Sequence, residues 1–310
     1  MNKKIILVFP CLYIILSSFA RQGQITCRSE KNADGSYFIY ADNKGFSDYT
    51  IKLTFTDLAG FNSSLDAGAP VIIGRGQSQI AKLTPVSGAP RYSFNYRYRY
   101  WPGTFFRKTP DTSFLYLMPS TAGNNLRISK VTSLAERIGQ KNEDDFSAVG
   151  FRYKLGDTIC AARGGIVYEC RDDVQEGESL NQTFNTNRNL VAIEHKDGTL
   201  ARYAVVAPVK LLVSPGEKVI PGQPLAVFNR ESPKYHILFS VAYLDENKIP
   251  AFELQDDKKT SQYNYLSMLF YVNENAKSYS LNLNKDYQVV YSNEVIAAEM
   301  SRKEKKKMGL

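Results

Sequence analysis

The sequence has 310 residues, a formal net charge of +8, and 43% hydrophobic and 23% charged residues. The length is enough for two folded domains, and the composition is that of a folded protein without a long disordered tract. Most of the positive charge comes from Lys3, Lys4 and the last ten residues, where five cations stand against Glu304. The basic balance is therefore a property of the two ends, and nothing in it indicates a nucleic-acid-binding domain.

Residues 1–20 are typical of a bacterial export signal. Two lysines are followed by an apolar stretch from Ile5 to Leu16, and Ser18-Phe19-Ala20 supplies small residues for cleavage. A membrane anchor is the alternative, but a span needs about 20 apolar residues. Neither Cys11 nor Cys27 follows a good lipid-attachment motif. We therefore expect a soluble mature protein in the periplasm or outside the cell.

Three cysteines remain after the signal: Cys27, Cys160 and Cys170. Because three is an odd number, at least one thiol is free or pairs between chains. The turn Arg163-Gly164-Gly165 is predicted to close a tight hairpin, which would place Cys160 opposite Val167. The spacing therefore does not favour a disulfide between Cys160 and Cys170, and leaves their state open.

Residues 34–133 show a β pattern. Short apolar runs at 37–40 and 49–55 precede the clearest strand, from Tyr92 to Tyr100, in which every second residue is aromatic. Clusters rich in glycine, asparagine and proline separate these runs. We predict a β-sandwich-like N-terminal domain over residues 21–133.

The aromatic residues of this strand fall on one face: Tyr92, Phe94, Tyr96, Tyr98 and Tyr100. Such a row can form a carbohydrate-binding platform. Alternation with polar residues is also what any half-buried strand shows. The pattern favours half of a hydrophobic core over a sugar platform, and does not show whether the face is exposed.

Residues 145–245 read as short strands separated by tight turns, with no helix of useful length. The dipeptide Asp197-Gly198 is a two-residue hairpin signal. We assign residues 134–245 to a second domain and 246–310 to a C-terminal extension, and the fold class is all-β. The extension contains two more predicted strands and a basic terminal helix from Ser292 to Lys307, with Asn293 as its N-cap. The basic tail is predicted to be a solvated helix end; contact with anionic wall polymer or lipid headgroups is the alternative.

Four ordered segments of the second half carry a family resemblance. They read GDTICAARGGIV (156–167), NLVAIEHKDGTLARY (189–203), VSPGEKVIPGQ (213–223) and HILFSV (236–241). They resemble the hairpin, the Asn-x-Val-x-Ile-x-His-x-Asp-Gly-Thr segment, the paired glycine turns and the His-x-His-Phe-x-Val strand of LytM/lysostaphin-type zinc peptidases. The resemblance covers about 100 residues and implies a β-hairpin-rich peptidoglycan endopeptidase fold.

The resemblance also implies a zinc site, whose ligands come from a His-x-x-x-Asp motif and the last histidine of His-x-His, with water in the open position. Zinc would activate that water for hydrolysis. In this sequence the first motif falls on 146–150, so that Phe146 and Gly150 replace its ligands. Leu238 replaces the last histidine, Val205 replaces the histidine of Tyr-x-His-Leu, and His236 alone is retained.

The sequence has only two histidines, His195 and His236, so a site with three histidines is impossible. We therefore expect no bound zinc or other cofactor, and expect Phe146, Val205 and Leu238 to fill the former metal pocket. His236 is then a hydrogen-bonded residue, and His195 corresponds to a structural histidine of the family.

Three functions remain open. The first is an exported, non-catalytic module that binds peptidoglycan or another envelope protein, or regulates wall enzymes. The second is a residual hydrolase with a nonstandard metal site around Asp144, Asp145 and His236. The third is a structural envelope protein.

Overall fold

The computed structural model describes residues 24–66, 68–129, 147–172, 189–205, 207–230, 235–249, 262–273 and 281–310. In these ranges almost all regular elements are β-strands, with two short α-helices near the end of the chain, so the predicted all-β class is confirmed. Neither helix is long and apolar enough to cross a membrane. The predicted export signal, Phe146, Asp144 and Asp145 lie outside the described residues.

The N-terminal part is a two-sheet β-sandwich. Its strands are β1 (Ile25–Lys31), β2 (Tyr37–Asn43), β3 (Tyr49–Ala59), β4 (Phe61–Ser63), β5 (Pro70–Ile73), β6 (Gly76–Pro85) and β7 (Ser93–Pro102). They form antiparallel sheets in the orders β1-β2-β6-β4 and β5-β3-β7. Ile39, Ile51, Ile73 and Leu83 are fully buried in one hydrophobic cluster, as expected for sheets that alternate apolar and polar positions.

The row of aromatic residues that begins at Tyr92 and continues along β7 is only partly buried in the sandwich core. Phe94, Tyr96 and Tyr98 pack against the sandwich core, as predicted. Tyr92 and Tyr100, at the two ends, are 49% and 37% exposed. Each of these two rings makes a T-shaped contact with one neighbouring ring: Tyr92 with Phe61, and Tyr100 with Tyr49.

The larger part of the protein is built on a long mixed sheet and a three-stranded sheet. Its strands are β8 (Phe105–Phe106), β9 (Leu115–Tyr116), β10 (Asn125–Ser129), β11 (Val149–Arg152), β12 (Thr158–Cys160), β13 (Gly165–Arg171), β14 (Asn189–Glu194), β15 (Leu200–Val205), β16 (Lys210–Leu211), β17 (Lys218–Val219), β18 (Pro224–Val227), β19 (His236–Asp245), β20 (Tyr263–Tyr265), β21 (Leu269–Phe270) and β22 (Asp286–Gln288). The long sheet follows the order β17-β13-β14-β15-β19-β11-β10-β22, and the small one β12-β18-β16. Their apolar faces bury Tyr203, Phe151, Phe228 and Phe239 completely.

The boundary between the two cores differs from the predicted one. Tyr116, Met118, Leu126 and Ile128, which we assigned to the N-terminal domain, are buried in the second core. β10 pairs with β11, and β22 and β20 of the predicted C-terminal extension join the same sheet. The change of core therefore falls near residue 105 rather than at 133, because strand pairing over long sequence distances has no local signal.

The turn at 163–165 does not close the predicted hairpin, and that prediction is wrong. β12 pairs with β18, whereas β13 pairs with β14 and β17. The turn therefore carries the chain from one sheet to the other. A Cβ on Gly165 would lie 2.2 Å from the Glu194 carbonyl oxygen, so only glycine allows this approach. Cys27, Cys160 and Cys170 are free thiols.

The Asp197-Gly198 turn does connect two paired strands, β14 and β15. It has three loop residues rather than two, because the His195 N–H donates to the Thr199 carbonyl oxygen. Gly198 takes φ +86°, which fits a type I turn followed by a left-handed residue. Val213, Val219 and Leu225, around the paired glycine turns, are all buried in the core.

The predicted terminal helix is two helices, α1 (Asn293–Ala297) and α2 (Arg302–Met308). Ser292, not Asn293, caps α1. Ser301 caps α2 and forms a reciprocal capping box with Glu304. This capping signal inside the predicted helix explains the break.

Candidate functional site

The described positions that the sequence motifs align with a LytM-type zinc site lie on three neighbouring strands, β15, β19 and β11. Gly150 lies directly opposite Leu238, and Arg152 lies opposite His236. Residues directly opposite in an antiparallel pair share one face of the sheet. Gly150, His236 and Leu238 therefore occupy the same face, with His236 and Leu238 both partly buried.

Val205 is on the other face. It lies opposite Ile237, and both side chains are buried in the second core, at 1% and 0% exposure. The expectation that Val205 fills the same pocket as Leu238 is therefore wrong. The strand register places Val205 on the core-facing side of the sheet, on the same side as Tyr203, whereas Leu238 is on the opposite side.

The shared face has little capacity to bind a metal. Gly150 offers no side chain, and the side chain of Leu238 is a hydrocarbon. No group of three histidine, cysteine, aspartate or glutamate side chains with metal-binding geometry occurs in the part of the chain that the structure describes. A hydrolytic zinc site needs three protein ligands and one open position, whereas His236 is the one metal-binding side chain among these three positions.

A second feature, which the sequence did not indicate, is a cleft of about 670 Å³ at the tip of the β14–β15 hairpin. We call it the hairpin cleft. Its walls come from the sandwich, from the hairpin, from the 218–221 turn and from the C-terminal helices; they include Phe46, Asp48, Glu194, His195, Ile220 and Ile296. Leu238 lies opposite Ala204, which is six residues or roughly 20 Å along the chain from Gly198 at the hairpin tip, so this cleft is separate from the β11–β19 face.

Beside the hairpin cleft, Arg163 forms a buried ion cluster. Its side chain is 3% exposed and contacts Glu299 through two nitrogens, at 2.8 and 2.5 Å, and Asp197 at 2.9 Å. The guanidinium also stacks over the Phe114 ring, 3.8 Å from its centroid. Burial disfavours the charge of Arg163, but the two carboxylates outweigh this effect and raise its pKa. The cluster ties the C-terminal helices to the hairpin.

His195 lies in the wall of the hairpin cleft and is 3% exposed. Its Nδ1 is 2.9 Å from the Gly164 carbonyl oxygen. Because a carbonyl only accepts, Nδ1 carries the proton and Nε2 is left as an acceptor. Nε2 is buried and has no hydrogen-bond partner among the described residues. Burial, together with the charge of Arg163, lowers the pKa of His195 to about 4, so the ring is neutral at physiological pH.

Glu194 ends β14 at the junction with the sandwich. Its Oε2 accepts a hydrogen bond of 3.2 Å from the Asp48 backbone N–H. Burial, with a smaller effect of the Asp48 charge, raises the pKa of Glu194 to about 7. A carboxyl group that titrates near neutral pH in a cleft is characteristic of functional sites. Its sequence signal was weak, since Glu194 looks like any polar residue at a strand end.

Comparisons with known proteins give only distant similarities. No protein-family model matches the sequence, and a search of curated proteins gives no significant match. Among solved structures, a Pseudomonas aeruginosa protein described as a peptidase M23 is 12% identical, with 70% of this chain and 87% of that chain covered and a TM-score of 0.28. Helicobacter pylori Csd3 is 13% identical, with coverages of 71% and 66% and a TM-score of 0.28. A zinc-containing peptidase from Vibrio cholerae is 13% identical, with coverages of 69% and 81% and a TM-score of 0.24.

Proposed function

We propose that this chain is an exported, non-catalytic relative of LytM-type peptidases that acts as a binding or regulatory module of the bacterial cell envelope. The observation that carries the proposal is the pairing of Gly150 with Leu238 on β11 and β19. These are the positions at which the sequence motifs place the aspartate and the last histidine of a zinc site, and neither residue binds a metal.

The chemistry of hydrolysis explains why these two replacements matter. Zinc lowers the pKa of its bound water and polarises the scissile carbonyl, and both effects need the metal held at an open site. With glycine at 150 and leucine at 238, the face keeps only His236, which aligns with the first histidine of His-x-His and not with a zinc ligand. One imidazole does not retain zinc with the affinity of a three-ligand site.

Two other features support a binding role in the envelope. Residues 1–20 have the composition of an export signal. The hairpin cleft has a volume within the range of small-ligand sites and lies away from the degenerate zinc positions. A domain that has lost its reaction and retains a formed cleft is suited to recognition.

The proposal is tested on the mature protein from Arg21 to the C-terminus. We expect less than stoichiometric zinc by elemental analysis, no release of muropeptides from purified peptidoglycan, and co-sedimentation with peptidoglycan or with a specific envelope protein. The variant His236→Ala serves as the matched control and should behave like the wild type in all three assays. One zinc per chain, together with a peptidoglycan-cleaving activity that His236→Ala abolishes, would establish a hydrolase instead.

A further inference from the structure

The hairpin cleft contains two acidic side chains without cationic partners. Glu194 and Asp48 both line it, and neither forms an ion pair with a described residue. The other acids of the cleft have cationic partners: Asp197 and Glu299 share Arg163, and Glu304 binds Lys218. The two residues Glu194 and Asp48 adjoin, because the Asp48 backbone N–H donates to Glu194, and the Asp48 charge acts on the Glu194 carboxyl.

A third acceptor in the wall points to the same kind of ligand. His195 is 3% exposed, and its Nε2 is an acceptor with no partner among the described residues. Leaving a buried acceptor unpaired costs about 1–3 kcal/mol. The carboxylates of Glu194 and Asp48 are likewise acceptors, so the acidic wall of the cleft suits a ligand that brings hydrogen-bond donors.

The three cations that line the cleft do not form ion pairs with Glu194 or Asp48. Arg75 stacks on the Phe46 ring at 4.7 Å, and Lys218 is paired with Glu304. Lys196 is exposed on the hairpin turn. An anionic ligand would meet the uncompensated carboxylates of Glu194 and Asp48, so the charge pattern selects against it.

The remaining wall is apolar. Phe46, Val219, Ile220, Pro221, Ile296 and Met300 line the cleft around the acceptors. Ligand sites usually combine such an apolar surface with a few polar groups that fix orientation.

We propose that the hairpin cleft binds a ligand with a primary ammonium group on an apolar body, the ammonium lying between Glu194 and Asp48. A peptide amino terminus, a lysine-like side chain and an alkylamine share this chemistry. Binding at this cleft does not depend on the state of the β11–β19 face, so this site and the lost zinc site stand or fall separately.

The proposal predicts how binding depends on pH. Tyr49 and Tyr168 interact electrostatically with Glu194, and the other charged or titratable groups that line the cleft are Asp48, Arg75, His195, Lys196, Asp197, Lys218, Glu299 and Glu304. Because the pKa of Glu194 is about 7 in the free protein, an ammonium ligand binds with release of a proton near neutral pH. Its affinity should therefore fall as the pH is lowered through that value.

The test uses three probes of equal length: hexylamine, hexanol and hexanoate. Isothermal titration of the mature protein should show saturable binding of hexylamine alone, with proton release near pH 7 detected in buffers of different ionisation enthalpy. Glu194→Gln keeps the acceptor for the Asp48 N–H and should weaken hexylamine binding at least about tenfold, a loss of about 1.4 kcal/mol. Asp48→Asn should weaken it in the same direction. Glu246→Gln, a surface acid paired with Arg107 outside the cleft, should have no effect.

The titrations of the wild-type protein with the three probes are sufficient to test the proposed site. If hexylamine fails to bind, or if hexanol or hexanoate binds equally well, the cleft is not an ammonium site. Unchanged hexylamine affinity in folded Glu194→Gln, with circular dichroism as the check on folding, would overturn the assignment as well. None of these results bears on whether the protein holds zinc or sediments with peptidoglycan.

Discussion

Gly150 and Leu238 are directly opposite each other on β11 and β19, and each also shares its face of the sheet with His236. In a LytM-type site these two positions would supply the aspartate and the last histidine that hold the metal. Their pairing means that two substitutions on adjacent strands would bring two ligand side chains to one point. Val205, which the sequence motif also aligned with a family histidine, is under the same sheet.

This arrangement predicts the outcome of rebuilding the site. The double variant Gly150→Asp/Leu238→His should gain zinc binding in competition with a chromophoric chelator, because its new side chains join His236 on one face. The matched control Gly150→Asp/Val205→His should gain none, since residue 205 is in the core. Equal zinc binding by the two double variants would show that the face assignment is wrong.

The buried ion cluster predicts a large effect at Arg163. Replacement by methionine leaves the carboxylates of Glu299 and Asp197 without their partner, and breaking a buried pair costs about 3–5 kcal/mol. Urea unfolding should show this loss for Arg163→Met, and limited proteolysis should cut the C-terminal helices faster. Arg127→Met is the control, because its pair with Asp286 is 46% and 61% exposed and such pairs contribute about 0–1 kcal/mol. Similar losses for the two variants would mean that the Arg163 cluster does not stabilise the fold.

The packing of the sandwich residue Phe46 against the second core can be tested by substituting Gly216. Gly216 has φ +92°, and a Cβ there would lie 2.6 Å from the Phe46 ring of the sandwich. Gly156 has φ +86° with no atom within 4 Å of its Cβ position. Both alanine variants bear the backbone penalty of roughly 1–2 kcal/mol, but Gly216→Ala should lose about 1–3 kcal/mol more from the clash. Thermal unfolding measures the difference, and equal losses would indicate that Phe46 moves aside freely.

Local features of the sequence predicted much of the fold. The strands β14 and β15 and their turn were predictable because short apolar runs and an Asp-Gly dipeptide are short-range signals. The break between α1 and α2 also had such a signal, the Ser301–Glu304 capping box, which the continuous helix prediction overlooked.

Pairings between distant segments were not predictable in the same way. Asn125 pairs with Gln288, and Arg163 binds Glu299, across more than a hundred residues. Neither contact leaves a periodic or local pattern. The face occupied by Val205 likewise depends on the register of β15 against β19, and a change of one residue in that register reverses every side chain. The hairpin cleft was missed for the same reason, since stretches from the sandwich, the hairpin, the turns at 164–166 and 218–221 and the C-terminal helices build it together.

The neighbouring residues Glu194 and His195 should make stability depend on pH in opposite directions. The pKa of Glu194 is raised from 4.5 to about 7 by burial, so the folded state holds this proton more tightly and stability falls as the pH rises between those values. The pKa of His195 is lowered from 6.5 to about 4 by burial and Arg163, so stability instead falls as the pH drops through that window. In the wild type the two effects oppose each other between pH 4.5 and 6.5.

Removing one residue should therefore reveal the other. The free energy of unfolding of Glu194→Gln, minus that of the wild type, should increase with pH from 4.5 to 7, because the variant lacks the buried carboxyl that charges there. For His195→Asn the same difference should decrease with pH from 4 to 6.5, since the variant lacks the imidazole that resists protonation. Urea titrations across this range measure both differences, and Glu246→Gln should give a flat one. A flat difference for Glu194→Gln would mean that this carboxyl stays hydrated at the junction, and that its ionisation does not oppose the contact between the sandwich and the hairpin.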